Sequence, residues 1–262
     1  MKIAISGATG RMGQSIVRLA GQDQIGIVGA ITSSQSIHLG KDVGDVAGAG
    51  HLGVAIADDV GSALLGADVV IDFSRPEGLS RVLAVAKRMG IPVVSGTTRL
   101  DAAVEKQIDD AARVIPVLWA PNTSLGVQVL AELVAEAVKR LGLGFDIEVV
   151  ETHHKAKVDS PSGTAVRLAD AARTAREGLR AVHGREGNVG PRAAEEIGIF
   201  AMRGGDVIGD HSVHLLGLGE RIELTHRATN RDLFARGALR AARFLVGKPA
   251  GRYTMAHVLA PA

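Results

Sequence analysis

Apolar and polar positions along the first half of the chain follow the rhythm of strands alternating with helices. Six short apolar runs predict strands at residues 2–6, 25–31, 54–57, 68–73, 91–95 and 114–119. Amphipathic stretches with a helical period lie between them, at 11–21, 59–65, 76–90 and 101–113. Because the runs are apolar on both faces, they are typical of a parallel sheet covered by helices on each side.

The rhythm changes near residue 122. A long helix at 125–141 and a strand at 145–152 are followed by a helix at 162–177 and a polar, glycine-rich stretch at 184–192. Strands are then predicted at 196–202, 207–216 and 221–226 without helices between them, and a last helix at 231–246. Consecutive strands favour an antiparallel or mixed sheet. We therefore expect two domains, an α/β domain with a doubly wound parallel sheet and an α+β domain.

Composition excludes several classes of chemistry. The chain has 262 residues and no cysteine, which removes disulfides, thiolate zinc sites, iron–sulfur clusters and cysteine nucleophiles. With 30 Lys and Arg against 28 Asp and Glu the net charge is only +2, and no basic block is present. We expect no nucleic-acid partner, no membrane span and no metal, and a soluble protein of the reducing cytoplasm.

A glycine loop follows the first predicted strand directly. Gly7, Gly10 and Gly13 are spaced three residues apart between a strand and a helix, a variant of the dinucleotide-binding fingerprint. Glycines there allow a tight turn and let the backbone approach a pyrophosphate at the helix N-terminus. A purely structural glycine-rich turn is the alternative. The loop predicts a Rossmann-type domain that binds a nucleotide.

The residues after the second strand bear on the choice of cofactor. A carboxylate there would hold the ribose 2′-OH of NADH, but the segment 32–36 contains no Asp or Glu. Arg11 in the glycine loop, with Lys41 beyond, could instead meet the 2′-phosphate of NADPH; Arg11 could equally serve only to solvate the helix start. We therefore expect use of both NADPH and NADH, with a modest preference for NADPH.

One segment, 151–164, gathers the candidate catalytic groups. It reads ETHHKAKVDSPSGT and places two His and two Lys after a strand, before a Ser-Gly-Thr turn that opens a helix. Cations, hydroxyls and helix N–H groups together suit a small carboxylate, and a His with a nearby Lys can move protons. A solvated strand end with an ordinary helix cap is the alternative. His211 and His214 are expected to be half-buried polar residues.

These residues carry a resemblance to the 4-hydroxy-tetrahydrodipicolinate reductase (dihydrodipicolinate reductase) family of lysine and diaminopimelate synthesis. The matches run in order over nearly the whole chain, and the segment 151–165 is the most specific of them. They are GATGRMG at 7–13, DFSRPEG at 72–78, SGTT at 95–98, APNTSLGV at 120–127, ETHHKAKVDSPSGTA at 151–165, GDVIGDHSV at 205–213, GERIELTHRA at 219–228 and FARGALRAA at 234–242.

The resemblance implies roles for individual residues. The proton donor or acceptor falls on His153 and the acid-acting Lys on Lys157, whereas His154 contacts substrate and the turn at Gly163 and Thr164 holds a carboxylate. The residues expected to bind the cofactor are Gly7, Ala8, Thr9, Gly10, Arg11, Met12, Gly96, Thr97, Thr98, Ala120, Pro121, Asn122 and Thr123.

The resemblance also implies an architecture and an activity. A dinucleotide-binding domain at 1–122 is completed by the segment 233–262 packing back onto it, and a domain at 123–232 binds substrate and builds a homotetramer. The activity is NAD(P)H-dependent reduction of a cyclic imine dicarboxylate with loss of water. Two other readings stay open: a nucleotide-binding sensor without turnover, and a homoserine- or aspartate-type dehydrogenase acting on an open-chain amino acid.

Overall fold

The structure is a computed structural model that describes residues 1–260. The chain forms two compact units, the first made of Met1–Leu125 with Asp232–Ala262 and the second of Gly126–Arg231. The last two residues of the segment 233–262, which was expected to return to the first domain, lie outside the described residues. Within residues 1–260, no helix is long and apolar enough to cross a membrane.

The described residues form twelve strands, nine α-helices and one short 3-10 helix at Gly142–Gly144. The strands are β1 (Lys2–Ser6), β2 (Gly26–Ile31), β3 (Ile56–Ala57), β4 (Val69–Asp72), β5 (Val93–Ser95), β6 (Pro116–Trp119), β7 (Asp146–His153), β8 (Arg180–Val182), β9 (Glu196–Arg203), β10 (Gly209–Leu216), β11 (Arg221–Ala228) and β12 (Gly251–Tyr253). The helices are α1 (Arg11–Gln22), α2 (Val43–Ala47), α3 (Val60–Ala63), α4 (Pro76–Met89), α5 (Ala102–Ala112), α6 (Leu125–Leu141), α7 (Gly163–Ala175), α8 (Asp232–Leu245) and α9 (Met255–Leu259).

The sheet of the first unit has seven strands in the order β12-β6-β5-β4-β1-β2-β3, and every neighbouring pair is parallel. The chain runs from β1 towards one edge through β2 and β3, and then returns to β4 on the other side of β1. The doubly wound sheet predicted from the sequence is therefore confirmed. The point where the strand order reverses lies between β1 and β4, which is where such sheets bind their ligands.

Apolar side chains cover both faces of this sheet. Ile3 and Ile5 pack with Ile16 of α1 and Leu239 of α8 on one face. On the other face Ala4 and its neighbours pack against α4 and α5. Close approach of backbones is required where α8 meets the chain after β6, because a Cβ on Gly237 would stand 1.8 Å from the carbonyl oxygen of Thr123.

The sheet of the second unit is mixed, in the order β11-β10-β7-β9-β8, as the sequence predicted for this half. Strand β10 is antiparallel to β7 and β11, whereas β9 is parallel to β7 and β8. Burial alternates along β7, so that Ile147 and Val149 pack with Val134 of α6 and Leu168 of α7. Glu151 and His153 point to this same face, because side chains two apart on a strand share a face.

Candidate active site

The glycine loop has a backbone shape that side chains would not tolerate. Gly7 has φ +75°, and a Cβ on it would stand 2.4 Å from the carbonyl oxygen of Phe73. A Cβ on Gly13 would stand 2.3 Å from the carbonyl oxygen of Gly7, and Gly10 is the N-cap of α1. The loop between β1 and α1 is therefore compact and exposes backbone at the helix N-terminus, as a pyrophosphate requires.

A cavity of about 900 Å³ opens beside this loop, at the carboxyl ends of β1, β2 and β4. Of the residues expected to bind the cofactor, Gly7, Thr9 and Gly10 line it, whereas Ala8, Arg11 and Met12 do not. The complete lining is Ser6, Gly7, Thr9, Gly10, Ile31, Thr32, Ser33, Gln35, Val60, Phe73, Ser74, Arg75, Glu77, Gly78 and Arg81. Its position at the reversal of strand order and its glycine wall fit a dinucleotide.

A buried carboxylate that the sequence analysis missed connects the loops after β4 and β5. Asp72 is fully buried and accepts hydrogen bonds from the hydroxyls of Ser74 at 2.5 Å, Ser95 at 2.9 Å and Thr97 at 2.6 Å. A Cβ on Gly96 would stand 2.1 Å from the Phe73 ring. The segment Gly96–Thr98, which is expected to bind the cofactor, is thus fixed against the end of β4.

The other segment expected to bind the cofactor, Ala120–Thr123, follows β6 on the same edge of the sheet. The N–H of Ala120 donates to the Ser95 carbonyl at 2.9 Å, and the Thr123 hydroxyl donates to the Phe234 carbonyl at 2.7 Å. The indole N–H of Trp119 donates to the Thr97 carbonyl at 2.9 Å, which ties the two segments to each other. Neither segment lines the large cavity, so their contact with a cofactor stays a prediction.

In the second unit, a buried ionic cluster surrounds His153. Glu151 is fully buried, and its Oε2 lies 2.6 Å from Nδ1 of His153. Arg203 spans both carboxylate oxygens at 2.7 and 2.8 Å, and the N–H of Ser162 donates to Oε1 at 3.0 Å. Burial pushes the pKa of Glu151 up, but these hydrogen bonds outweigh it and hold the pKa below its ordinary value.

The cluster fixes which nitrogen of His153 is available. An ionised carboxylate only accepts hydrogen bonds, so Nδ1 of His153 donates to Glu151 and Nε2 is left for another group. Strand β10 has a glycine beside Nε2, where a Cβ on Gly209 would stand 3.0 Å away. Burial lowers the pKa of His153; the charge of Glu151 opposes this effect, and those of Lys157 and Arg203 reinforce it. His153 is therefore neutral at pH 7, with Nε2 able to accept a proton.

Lys157 lies on the turn beyond β7 and is half-buried. Its Nζ donates to both carboxylate oxygens of Asp159, at 2.7 and 2.8 Å. Asp159 is itself exposed, and the bond from Lys157 lowers its pKa. The Lys157 ammonium is thus held in place by a partner that is open to solvent.

Helix α7 begins at the predicted turn. Ser162 is the N-cap, and its hydroxyl accepts from the N–H of Ala165 at 3.2 Å. Gly163 and Thr164 form the first turn of the helix, where backbone N–H groups and the helix dipole favour an anion. His154 directly follows β7 and is half-buried, with its N–H donating to the Val207 carbonyl at 2.7 Å, whereas Lys155 is exposed.

His211 belongs to the same cluster, which differs from the half-buried position expected for it. Its Nε2 lies 3.0 Å from the Ser162 hydroxyl, and its ring meets the His153 ring edge-on at 5.1 Å between centroids. Nδ1 of His211 is buried without a hydrogen-bond partner. Burial lowers the pKa of His211 to about 4, and the neighbouring His153 adds to the effect.

Comparison with known proteins gives consistent results for both units. Residues 1–123 match the family model described as dihydrodipicolinate reductase, N-terminus, and residues 126–259 match that described as dihydrodipicolinate reductase, C-terminus. The 4-hydroxy-tetrahydrodipicolinate reductase of Anaeromyxobacter dehalogenans is 47% identical over 98% of this chain and 97% of its own. That of Nitrosomonas eutropha is 45% identical over 99% and 98%.

Solved structures agree on the fold. A dipicolinate-bound dihydrodipicolinate reductase from a Paenisporosarcina species superposes with a TM-score of 0.77, at 22% identity, over 99% of each chain. An amine dehydrogenase from Mycobacterium smegmatis gives a TM-score of 0.59 at 14% identity, over 97% of this chain and 95% of that one. Both superpose over nearly the whole chain, which supports the fold described above.

Proposed function

The chain belongs to the dihydrodipicolinate reductase family, and on that premise we propose that its two clusters perform the family reaction. The reaction is the reduction of 4-hydroxy-tetrahydrodipicolinate to tetrahydrodipicolinate with loss of water, in lysine and diaminopimelate biosynthesis, by a reduced nicotinamide cofactor. The observation that carries the assignment of residues is the buried Glu151 that orients His153, on the same segment that holds Lys157.

Each group in this segment has a distinct task. When bound, the cofactor supplies hydride to the ring carbon conjugated to the C=N bond. Glu151 holds the His153 ring so that Nε2 can take up or deliver the proton that the reduced ring and the departing water require. Lys157 acts as the acid, and its bond to exposed Asp159 is replaced by the substrate.

The substrate is a dicarboxylate, and this segment offers it cations and N–H donors. We assign carboxylate binding to His154 and to the start of α7 at Gly163 and Thr164. These groups come from one continuous stretch of chain, and the buried cluster of Glu151 beneath that stretch keeps it in place.

We propose that the glycine loop and the segments after β5 and β6 bind both NADPH and NADH. Support comes from the cavity beside Gly7, Thr9 and Gly10, and from the absence of a carboxylate after β2. Without that carboxylate, no side chain after β2 repels the 2′-phosphate of NADPH or binds the 2′-OH of NADH through two hydrogen bonds. A modest preference for NADPH is therefore expected. The cytoplasm is the proposed location, because a chain without cysteine has no disulfide and suits a reducing compartment.

A homotetramer is proposed through the second unit. The face of its sheet opposite α6 and α7 carries Val150, Phe200 and Leu216, which are half-buried, and Met202, which is exposed. Strands β8 and β11 are edges of this sheet. Contact with further copies would cover this apolar face. Light scattering at micromolar concentration should return four times the chain mass; the monomer mass would contradict the proposal.

Steady-state oxidation of NADPH and of NADH in the presence of the cyclic imine tests the function. Consumption that depends on the imine supports the reductase. A folded protein that binds NADPH but shows no turnover above background would instead be a nucleotide-binding sensor. Turnover with aspartate or homoserine derivatives but not with the imine would support the open-chain dehydrogenase.

A further inference from the structure

We propose that Arg81 of α4 is the residue that recognises the adenosine 2′-phosphate of NADPH in this chain. The proposal rests on the nicotinamide cofactor of the proposed function and goes beyond it, because it assigns the choice between NADPH and NADH to one side chain. Arg81 is on a different element from the position after the second strand, where dinucleotide-binding domains usually make this choice.

The residues after the second strand have no charged side chain with which to distinguish NADPH from NADH. Strand β2 ends at Ile31, and the residues after it are Thr32, Ser33, Ser34 and Gln35. Thr32, Ser33 and Gln35 line the cavity beside the glycine loop, so the end of β2 has the ordinary location of the adenosine ribose. Uncharged side chains can reach a ribose hydroxyl there, but they cannot neutralise a phosphate that carries nearly two negative charges.

Arg81 brings a cation to that location from the neighbouring helix. The N–H of Thr32 donates to the Ala57 carbonyl at 2.9 Å, where β2 runs beside β3. Nη2 of Arg81 donates to the carbonyl of the next residue, Asp58, at 2.5 Å. The guanidinium of Arg81 is therefore bonded to the residue that directly follows the one bonded to Thr32. Arg81 also lines the same cavity as Thr32 and Ser33.

The chemistry of the guanidinium suits this task. It has five N–H donors in a planar fork, and the bond to Asp58 occupies one nitrogen, so the opposite side of the fork can face a phosphate. Glu77 and Arg75, which have opposite charges, also line the cavity. The Asp59 carboxylate accepts from the N–H of Ser62 at 2.7 Å; that bond chiefly lowers its pKa, with a smaller contribution from the charge of Arg81.

Arg11, which the sequence suggested for this role, has a different position. It is the first residue of α1, is exposed, and is not among the residues that line the cavity. Its place at the helix start suits the pyrophosphate, which NADPH and NADH share. The two arginines therefore give opposite expectations for selectivity.

Direct binding to the wild-type protein and to Arg81→Ala and Arg81→Gln tests the assignment. Dissociation constants are measured for NADPH and NADH by nucleotide fluorescence, and for 2′,5′-ADP and 5′-ADP by calorimetry. Arg88→Ala is the matched control, because Arg88 is an exposed arginine of the same helix that does not line this cavity. Arg11→Ala is measured in parallel, and thermal melting confirms that each variant is folded.

Both Arg81 variants should weaken NADPH and 2′,5′-ADP by about ten- to a hundredfold, the range expected for a charge-assisted hydrogen bond. NADH and 5′-ADP should change by less than about threefold, and Arg88→Ala should change nothing. The effect should shrink as salt is raised. Equal losses for both nucleotides, no loss for either, or selectivity that disappears in Arg11→Ala instead would overturn the assignment. If the wild-type protein does not turn over the imine but still binds NADPH more tightly than NADH, the proposed function is overturned and the assignment of Arg81 stands.

Discussion

The two candidate binding regions of this protein are built in opposite ways. Around the glycine loop the first unit uses backbone shape, because a Cβ has no room at Gly7 or Gly13 and the cavity lining is largely uncharged. Around His153 the second unit uses charged side chains that fix one another, with Glu151 bonded to three partners. Backbone N–H groups can bind the pyrophosphate that NADPH and NADH have in common. Proton transfer, in contrast, requires a fixed orientation of the His153 ring.

The largest expected effect is a loss of kcat on substitution of the proton-transfer groups in the second unit. His153→Ala and Lys157→Ala should each lower kcat by roughly 10²–10⁴-fold, because each removes a positioned proton-transfer group. The dissociation constant for NADPH should stay unchanged, since neither residue is in the first unit. Near wild-type kcat in both variants would show that the segment is structural and remove the contrast between the two regions.

The next effect concerns the acid stability of the charged region. The pKa of His211 is lowered to about 4 from an ordinary 6.5, so the unfolded chain binds a proton more readily. The stability from neutral His211 is fully present above pH 6.5 and is lost as pH falls towards 4, by about 3 kcal/mol. His211→Gln should flatten this part of the pH dependence in urea unfolding. A curve identical to wild type would contradict the burial of a neutral His211.

Glu151→Gln keeps the shape of the buried cluster and removes its charge. In metal sites, loss of the group that orients a functional His costs about ten- to a hundredfold, and we expect a similar loss of kcat here. Because Glu151 raises the pKa of His153, the step in the pH–rate profile that belongs to His153 should move to lower pH. Glu148→Gln is the control, since Glu148 is also on β7 and also pairs with arginines, Arg185 and Arg192. An unshifted profile in Glu151→Gln would rule out the orienting role.

The smallest effect belongs to the backbone region. Gly7→Ala places a side chain at φ +75° against the Phe73 carbonyl and should weaken NADPH and NADH alike, by about five- to thirtyfold. Gly21→Ala on α1 is the control, because a Cβ there meets nothing within 4 Å. Equal cofactor binding by wild type and Gly7→Ala would mean that the tight turn has no part in recognition.

Sequence patterns predicted those structural features that are determined by residues close together in the sequence. The spacing of Gly7, Gly10 and Gly13 and the apolar runs of the parallel strands are local features, and the doubly wound sheet followed from them. The short elements β12 and α2 were missed, since three to five residues carry too little periodicity. Among residues 1–260, strand β12 pairs with β6 alone, which lies more than a hundred residues earlier in the chain.

The buried cluster around Glu151 could be predicted from the sequence only in part. Glu151 lies on the strand predicted at 145–152, whereas β7 extends to His153, so the shared face of these two residues was missed by one residue at the strand end. Arg203 and His211 reach the cluster only through the register of β9 and β10, which pairs Arg203 with His153 and His211 with Glu151. No local pattern specifies such a register, and Arg81 reaches the end of β3 in the same non-local way.

The division between the two regions can be tested most directly by hydrogen–deuterium exchange with mass spectrometry on the intact protein. NADPH alone should slow exchange in the glycine loop and in the segment 73–78, and adding pyridine-2,6-dicarboxylate should then slow exchange in the segment 151–164. Protection of the segment 151–164 by the dicarboxylate, with no further change at the glycine loop, is the result that this account predicts. A dicarboxylate that protects only the glycine loop, or a cofactor that protects only the segment 151–164, would contradict it.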